Sequence, residues 1–231
     1  MSTSRDSMLQ RIREAVTAGN RAGGNPALPE RGKIGYQGAG DDPVAHFQEE
    51  FVRAGGIFHR VADCDEAARV VLDLVRARSL RRVLLGRGPV LDALRLADPL
   101  RQAGAEVVQT DAAEVENRET RFAAEVGISG VEYLVAETGS VVAASRRDEP
   151  RSLSLLPPLH IAVAHRRQLT PDLFDLFAEL GQNLRDLPAG LTLITGPSKT
   201  GDIELRLVTG VHGPGEIHVV FLDSIEDARI I

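Results

Sequence analysis

At 231 residues, with 43% hydrophobic and 26% charged side chains, the chain has ordinary globular composition, and its length suffices for one large α/β core or two small ones. A net charge of −6, seven Phe, two Tyr and no Trp argue against nucleic-acid binding, which needs concentrated Lys and Arg and aromatic stacking platforms. A single cysteine, Cys64, excludes an intrachain disulfide and any multi-cysteine zinc or iron–sulfur site built from this chain alone.

The start, MSTSRDSMLQRIREA, carries charges where a signal peptide needs its apolar region, and no apolar run approaches the roughly 20 residues of a membrane span. A reducing, cytoplasmic compartment and no membrane span are therefore expected. From Arg5 to Thr17, Met8, Leu9, Ile12 and Val16 recur at helical spacing among charged residues, which predicts an amphipathic helix. The glycine-rich, aperiodic stretch from Gly19 to Pro43 reads as an arm or loop, so residues 1–41 are assigned to a helix and flexible arm and 42–231 to one α/β domain. That first helix can pack on its own domain or dock on a partner or a second subunit.

Regular alternation begins at Asp42-Pro43, a helix start, with Val44, Phe47 and Phe51 on one face and Gly55-Gly56 as the stop. There follow a strand Ile57–Val61, a helix after Asp63, a strand Arg82–Leu85, a helix Pro89–Leu96, a short turn at Pro99–Gln102, a strand Ala105–Thr110 and a polar helix over Ala112–Glu125. Strands separated by helices predict a largely parallel, buried sheet flanked by helices. In the C-terminal half, Tyr133–Ala136 and Ser140–Ala144 straddle a Glu-Thr-Gly turn and predict an antiparallel hairpin. After it come a strand Leu159–Ala164, a helix Pro171–Leu180 capped by Thr170 and stopped by Gly181, and strands Leu191–Thr195 and Ile217–Leu222.

Three segments carry residues suited to chemistry. Glu137 stands where the hairpin strand ends, with Thr138 and Gly139 turning the chain; a strand-end carboxylate beside glycine suits a ligand site, and a solvated acid in a turn is the plainer alternative. Arg151 can clamp a carboxylate or phosphate, or simply pair with Asp148 or Glu149, while His160 reads more readily as a hydrogen-bonded strand residue than as a ligand. The loop Thr195-Gly196-Pro197-Ser198-Lys199-Thr200-Gly201 offers a cation, hydroxyls and flexible backbone for an anion, but lacks the glycine spacing of a nucleotide-binding P-loop. Asp202 and Glu204, two residues apart, could act as acid and base or hold a metal with His212, or could pair with Lys199 and Arg206 instead. His212 lies just before Gly213, exposed between glycines.

The motifs AETGS (136–140), SLLPPLHIAV (154–163), ITGPSKTGDIE (194–204) and GVHGP (210–214) occur in the order found in the LUD domain, and the chain resembles the lactate-utilisation protein C family. The resemblance implies a fold related to NagB, ribose-phosphate isomerases and CoA transferases. It also implies work in the oxidation of L-lactate to pyruvate beside two iron–sulfur partner proteins, of the A and B types, which carry the clusters while this chain carries no cofactor. The function implied is an accessory or substrate-binding subunit, in which Thr138, Gly139, Arg151, Thr195, Gly196, Ser198, Lys199, Thr200, Asp202, Glu204, His212 and Gly213 surround a small carboxylate or other anion, with no metal, and Glu137 is the candidate catalytic residue. The alternative is a stand-alone enzyme of CoA-transferase or sugar-phosphate isomerase type, because Glu137-Thr138-Gly139 resembles the Glu-Asn-Gly turn of some CoA transferases, whose Glu is the nucleophile. Homo-oligomerisation is left open.

Overall fold

A computed structural model describes residues 4–22, 38–110, 118–146, 149–182, 187–203 and 206–223. The chain divides into two units, Met1–Gln37 and Gly38–Ile231. In the first, α1 (Ser4–Ala22) is longer than the helix expected from Arg5 to Thr17, and Met8, Leu9, Ile12 and Val16 are exposed along it.

In the second unit the local signals place α2 (Pro43–Arg53), whose first turn is closed by Asp42 Oδ1 accepting from Val44 N and Ala45 N at 3.1 and 3.2 Å, with Pro43 at the position where its missing N–H does no harm. There follow β1 (Ile57–Val61) and α3 (Cys64–Ala77), capped by Asp63 on Glu66 N at 2.8 Å. Next come β2 (Arg82–Leu85), α4 (Pro89–Leu94), α5 (Ala97–Gln102), β3 (Glu106–Gln109), α6 (Arg118–Ala123) and β4 (Val126–Ser129). The hairpin β5 (Tyr133–Val135) and β6 (Ser140–Ala144) leads through α7 (Ser152–Leu155) to β7 (Leu159–His165). Then come β8 (Leu169–Thr170), α8 (Leu173–Gln182), β9 (Leu191–Ile194), the ribbon β10 (Lys199–Ile203) and β11 (Arg206–Thr209), and β12 (Glu216–Leu222).

The structure departs from the sequence expectation in a few places. Residues 97–102 form a helix rather than a turn, Val126–Ser129 is an unanticipated strand, and the segment after Gly196 pairs as a ribbon where a loop was expected. The last long helix begins at Leu173, where Asp172 Oδ1 accepts from Asp175 N at 2.8 Å, and runs past Gly181. Thr170 belongs instead to β8, with its hydroxyl donating to Leu134 O at 3.3 Å.

Six parallel strands form the main sheet in the order β1-β12-β7-β4-β2-β3, and a four-stranded sheet, β8-β5-β6-β9, carries the hairpin. Strand alternation gives the main sheet two apolar faces. Val83, Val126, Ile161, Val163 and Val220 pack with α3, α4 and α5, while Ala162, Ala164, Val219 and Phe221 pack with Phe47 and Phe51 of α2 and with Leu134 and Val141 of the hairpin. The small sheet thus lies over the face that α2 shares, and α8 covers it through Leu176.

Candidate functional site

Strand order locates the most promising site. After β2 the chain moves outward to β3, whereas after β4 it moves the other way to β7, so the loops leaving these two neighbours diverge. Such a divergence leaves a crevice beyond the carboxyl ends of the strands, the usual ligand position in open α/β sheets. Here the crevice measures about 260 Å³, just under the range typical of pockets for drug-sized ligands, and Arg87, Gly88, Gly130, Arg146, Glu149 and Gln168 are among the residues lining it.

Each wall is positioned by its element. Gly86 extends β2 by one bond, its N–H donating to Ile128 O at 2.8 Å, and Gly88 at φ 130° turns the chain into α4 in a conformation that side chains resist. Gln168 is fixed by a reciprocal cap in which its Oε1 accepts from His165 N at 2.9 Å, and its Nε2 donates to Val131 O. Arg146 and Glu149 arrive on the segment that follows the inserted hairpin in the connection from β4 to β7. Glu149 Oε1 accepts from Gly130 N at 2.6 Å. Arg87 pairs with Asp92 at 3.1 Å and Arg146 with Glu132 at 2.8 Å, but both arginine side chains are more than a third exposed, at 38% and 42%. Exposed pairs of this kind contribute about 0 to 1 kcal/mol, so these two pairs are a small barrier to an anionic ligand.

Beside the crevice, and sharing Gly130 and Glu149 with it, lies a cavity of about 10 Å³, the size of one water molecule, also lined by Ser129, Ser145, Arg151 and Ser154. Ser129 Oγ bonds Gly130 O at 2.7 Å and faces His160 Nε2 at 2.9 Å. His160 is fully buried, and burial depresses its pKa to about 4, so the imidazole is neutral at pH 7. Its Nδ1 has no partner, and a buried acceptor tolerates that better than a buried N–H. The proton therefore belongs on Nε2, donated to Ser129, whose own hydroxyl donates to Gly130 O. His160 is thus a hydrogen-bonded strand residue.

Glu137, Thr138 and Gly139 form the hairpin turn, with Glu137 N donating to Pro171 O at 3.0 Å. Thr138 Oγ1, Ser140 Oγ and Thr195 Oγ1 form a chain with 2.7 Å at each step. Gly139, at φ 60°, faces the end of α2, where an added Cβ would stand 2.3 Å from Phe51 N; Gly196, at φ 77°, would put one 2.5 Å from Ala54 O. Lys199 is exposed, and its Nζ donates to Ala54 O at 2.7 Å. The close approach at these glycines is therefore made by the C-terminal end of α2. Ser198 ties this group to the next loop, its N donating to Pro214 O and its O accepting from Gly210 N, both at 2.9 Å. Gly213 packs on Ser198, Thr200 pairs with Val208 in the ribbon, and His212 is exposed. The side chain of Asp202, and Glu204 altogether, lie outside the described residues.

Arg151 belongs elsewhere. Its cavity adjoins Ala144 and Thr192, whereas Thr138 and Thr195 adjoin Ser140, four residues away along β6, about 13 Å at strand rise. The structure thus brings Glu137–Gly139, Thr195, Gly196, Ser198 and Lys199 together around α2, and places Arg151 in the small cavity beside the strand-end crevice. Sequence reasoning missed Arg87, Gly130, Arg146, Glu149 and Gln168. The available signal was Leu-Leu-Gly-Arg-Gly-Pro, an apolar strand running through glycines into a helix.

At the opposite rim, the amino ends of β1 and β12 hold a second polar cluster. His59 Nε2 and His218 Nδ1 are 2.8 Å apart, His218 Nε2 and Glu216 Oε1 are 2.5 Å apart, and Arg78 bonds Glu216. Burial lowers the pKa of both histidines, and Glu216 opposes the shift at His218. Among the described residues, no group of three or more His, Cys, Asp or Glu is arranged to hold a metal ion.

Fold and site together define an open α/β protein with a small polar crevice at the switch point of a parallel sheet. The LUD domain family model matches residues 44–222, nearly all of the second unit, and the chain belongs to that family. It is 37% identical over 123 residues to lactate utilization protein C of Bacillus licheniformis, covering 52% of this chain and 51% of that protein. It is 34% identical over 155 residues to lactate utilization protein C of Halalkalibacterium halodurans, covering 65% and 66%. The chain thus spans about half to two thirds of these relatives. A DUF162 family protein from Deinococcus radiodurans shares the fold, with a TM-score of 0.57 and 20% identity over 78% of this chain and 96% of that one.

Proposed function

We propose that this chain is a component of an L-lactate utilisation system, in which it binds a small carboxylate in the crevice between β2 and β4. In this reading it is an accessory or substrate-binding subunit, works with iron–sulfur partner proteins of the A and B types in the cytoplasm, and leaves electron transfer to their clusters. The observation that carries the reading is the crevice itself: a cavity of about 260 Å³ flanked by Arg87 and Arg146, both of which form exposed ion pairs beside it. Relatives named for lactate utilisation supply the choice of carboxylate.

Calorimetric titration of the purified chain with L-lactate tests it. Binding is expected, and replacing Arg87 and Arg146 together by Gln should weaken it at least roughly tenfold, since a hydrogen bond to a charged group contributes about 1.5 to 3 kcal/mol. Lactate-dependent dye reduction is expected only when the iron–sulfur partners are added. Absence of lactate binding, or equal binding by the double variant, would reject the assignment. Acyl or sugar-phosphate turnover by the isolated chain, lost in Glu137→Gln, would move the chemistry to the hairpin turn instead.

A further inference from the structure

Glu149 holds an unusual place. It comes from the inserted connection between β4 and β7, yet its carboxylate lies between the ends of β2 and β4. Its Oε1 accepts the N–H of Gly130 at 2.6 Å. Each strand is followed by a glycine at that spot, Gly86 after β2 and Gly130 after β4, and the missing side chains make the room. A Cβ on Gly130 would stand 3.0 Å from Glu149 Oε1, and one on Gly86 would stand 3.2 Å from the same atom. Contacts that tight would make the carboxylate give way by a few tenths of an ångström. A backbone N–H at the switch point, cleared by two glycines and flanked by two arginines, is an arrangement that suits the anionic group of a ligand.

We infer that Glu149 fills a carboxylate seat with the chain's own side chain, and that a small-carboxylate ligand takes the seat by displacing it. The inference rests on the proposed carboxylate site and adds the seat and the competitor. The loop bearing Glu149 is closed by Arg146 N donating to Glu149 O at 3.1 Å, a backbone bond that survives rotation of the side chain. The vacated N–H then meets the ligand carboxylate, while Arg87 and Arg146 stand at the same crevice to share its charge. A tethered competitor of this kind lowers apparent affinity by the fraction of time it holds the seat. The affinity of the intact chain is therefore weaker than the seat alone would give.

The test is calorimetric titration of the full chain, Glu149→Ala and Glu149→Gln with acetate and with L-lactate, with thermal unfolding as the folding control. Glu149→Ala should bind both about tenfold more tightly than the parent chain, and Glu149→Gln, which keeps shape and one acceptor but no charge, should fall between. Adding Gly86→Ala, whose methyl group intrudes on the seat, should remove the gain. Tighter acetate binding without lactate binding would support the seat while rejecting the lactate assignment. Equal or weaker binding by both Glu149 variants, with lactate binding retained in the parent, would overturn the displacement and leave the lactate assignment standing. No anion binding by any of the three proteins would overturn both. If Glu149→Ala fails to fold, Glu149→Gln decides the matter by the same comparison.

Discussion

Two residues show how far a side chain, or its absence, is dictated by neighbours distant in sequence. Gly139 looks like a turn residue that leaves room for a ligand, but the room is filled by α2, with Phe51 N 2.3 Å from where a Cβ would be and φ at 60°. Gly139→Ala should therefore destabilise the fold by at least about 2 kcal/mol, combining left-handed strain with a backbone clash, as urea unfolding would register. His160 carries a different signature. Its pKa falls from 6.5 to about 4 through burial, so the folded state disfavours the imidazolium. The stability this neutral histidine confers is fully present above pH 6.5 and is lost as pH falls towards 4, by at most about 3 kcal/mol. His59 and His218, also lowered, act in the same direction. Unfolding free energies measured from pH 7 down to pH 4 should fall more steeply for the parent chain than for His160→Asn; parallel curves would mean that another group titrates.

At the scale of elements, the end of α2 is the point where the hairpin turn and the loop after β9 are gathered. Lys199 donates to Ala54 O at 2.7 Å, meeting a helix end that leaves carbonyls unsatisfied and carries partial negative charge. Because Lys199 is exposed, Lys199→Met should cost no more than about 1 kcal/mol in urea unfolding and leave lactate affinity unchanged. A large drop in affinity would return Lys199 to the binding site. Elements with strong local signals were legible in the sequence: the cap and apolar face of α2, the spacing of α3, the hairpin with its Glu-Thr-Gly turn. β4 was not, since four residues containing a glycine carry little periodicity, and the ribbon after Gly196 was masked by Gly and Pro. The crevice was illegible for a deeper reason. Arg87, Gly130 and the segment bearing Arg146 and Glu149 are separate in sequence and meet only because β4 lies beside β2 rather than beside β3, and no local pattern encodes strand order.

On the scale of the whole molecule, the distribution of the core decides what can be removed. Among the described residues, the buried apolar clusters draw on positions from Ala39 to Leu222, and the family match runs from 44 to 222. Among the described residues of the first unit, the apolar side chains of α1 are exposed. A protein lacking residues 1–37 should therefore fold with a melting temperature within about 4 °C of the full chain, the shift expected for at most 1 kcal/mol at this size. It should also bind L-lactate unchanged, since the arginines, Gly130 and Glu149 of the crevice all belong to the second unit. Lactate-dependent dye reduction with the iron–sulfur partners is the separate measurement. If the truncated chain binds lactate normally but no longer supports dye reduction, the exposed stripe of Met8, Leu9, Ile12 and Val16 serves assembly; if both are retained, the helix is dispensable for both functions. A collapse of the melting temperature would instead place α1 among the elements that hold the fold.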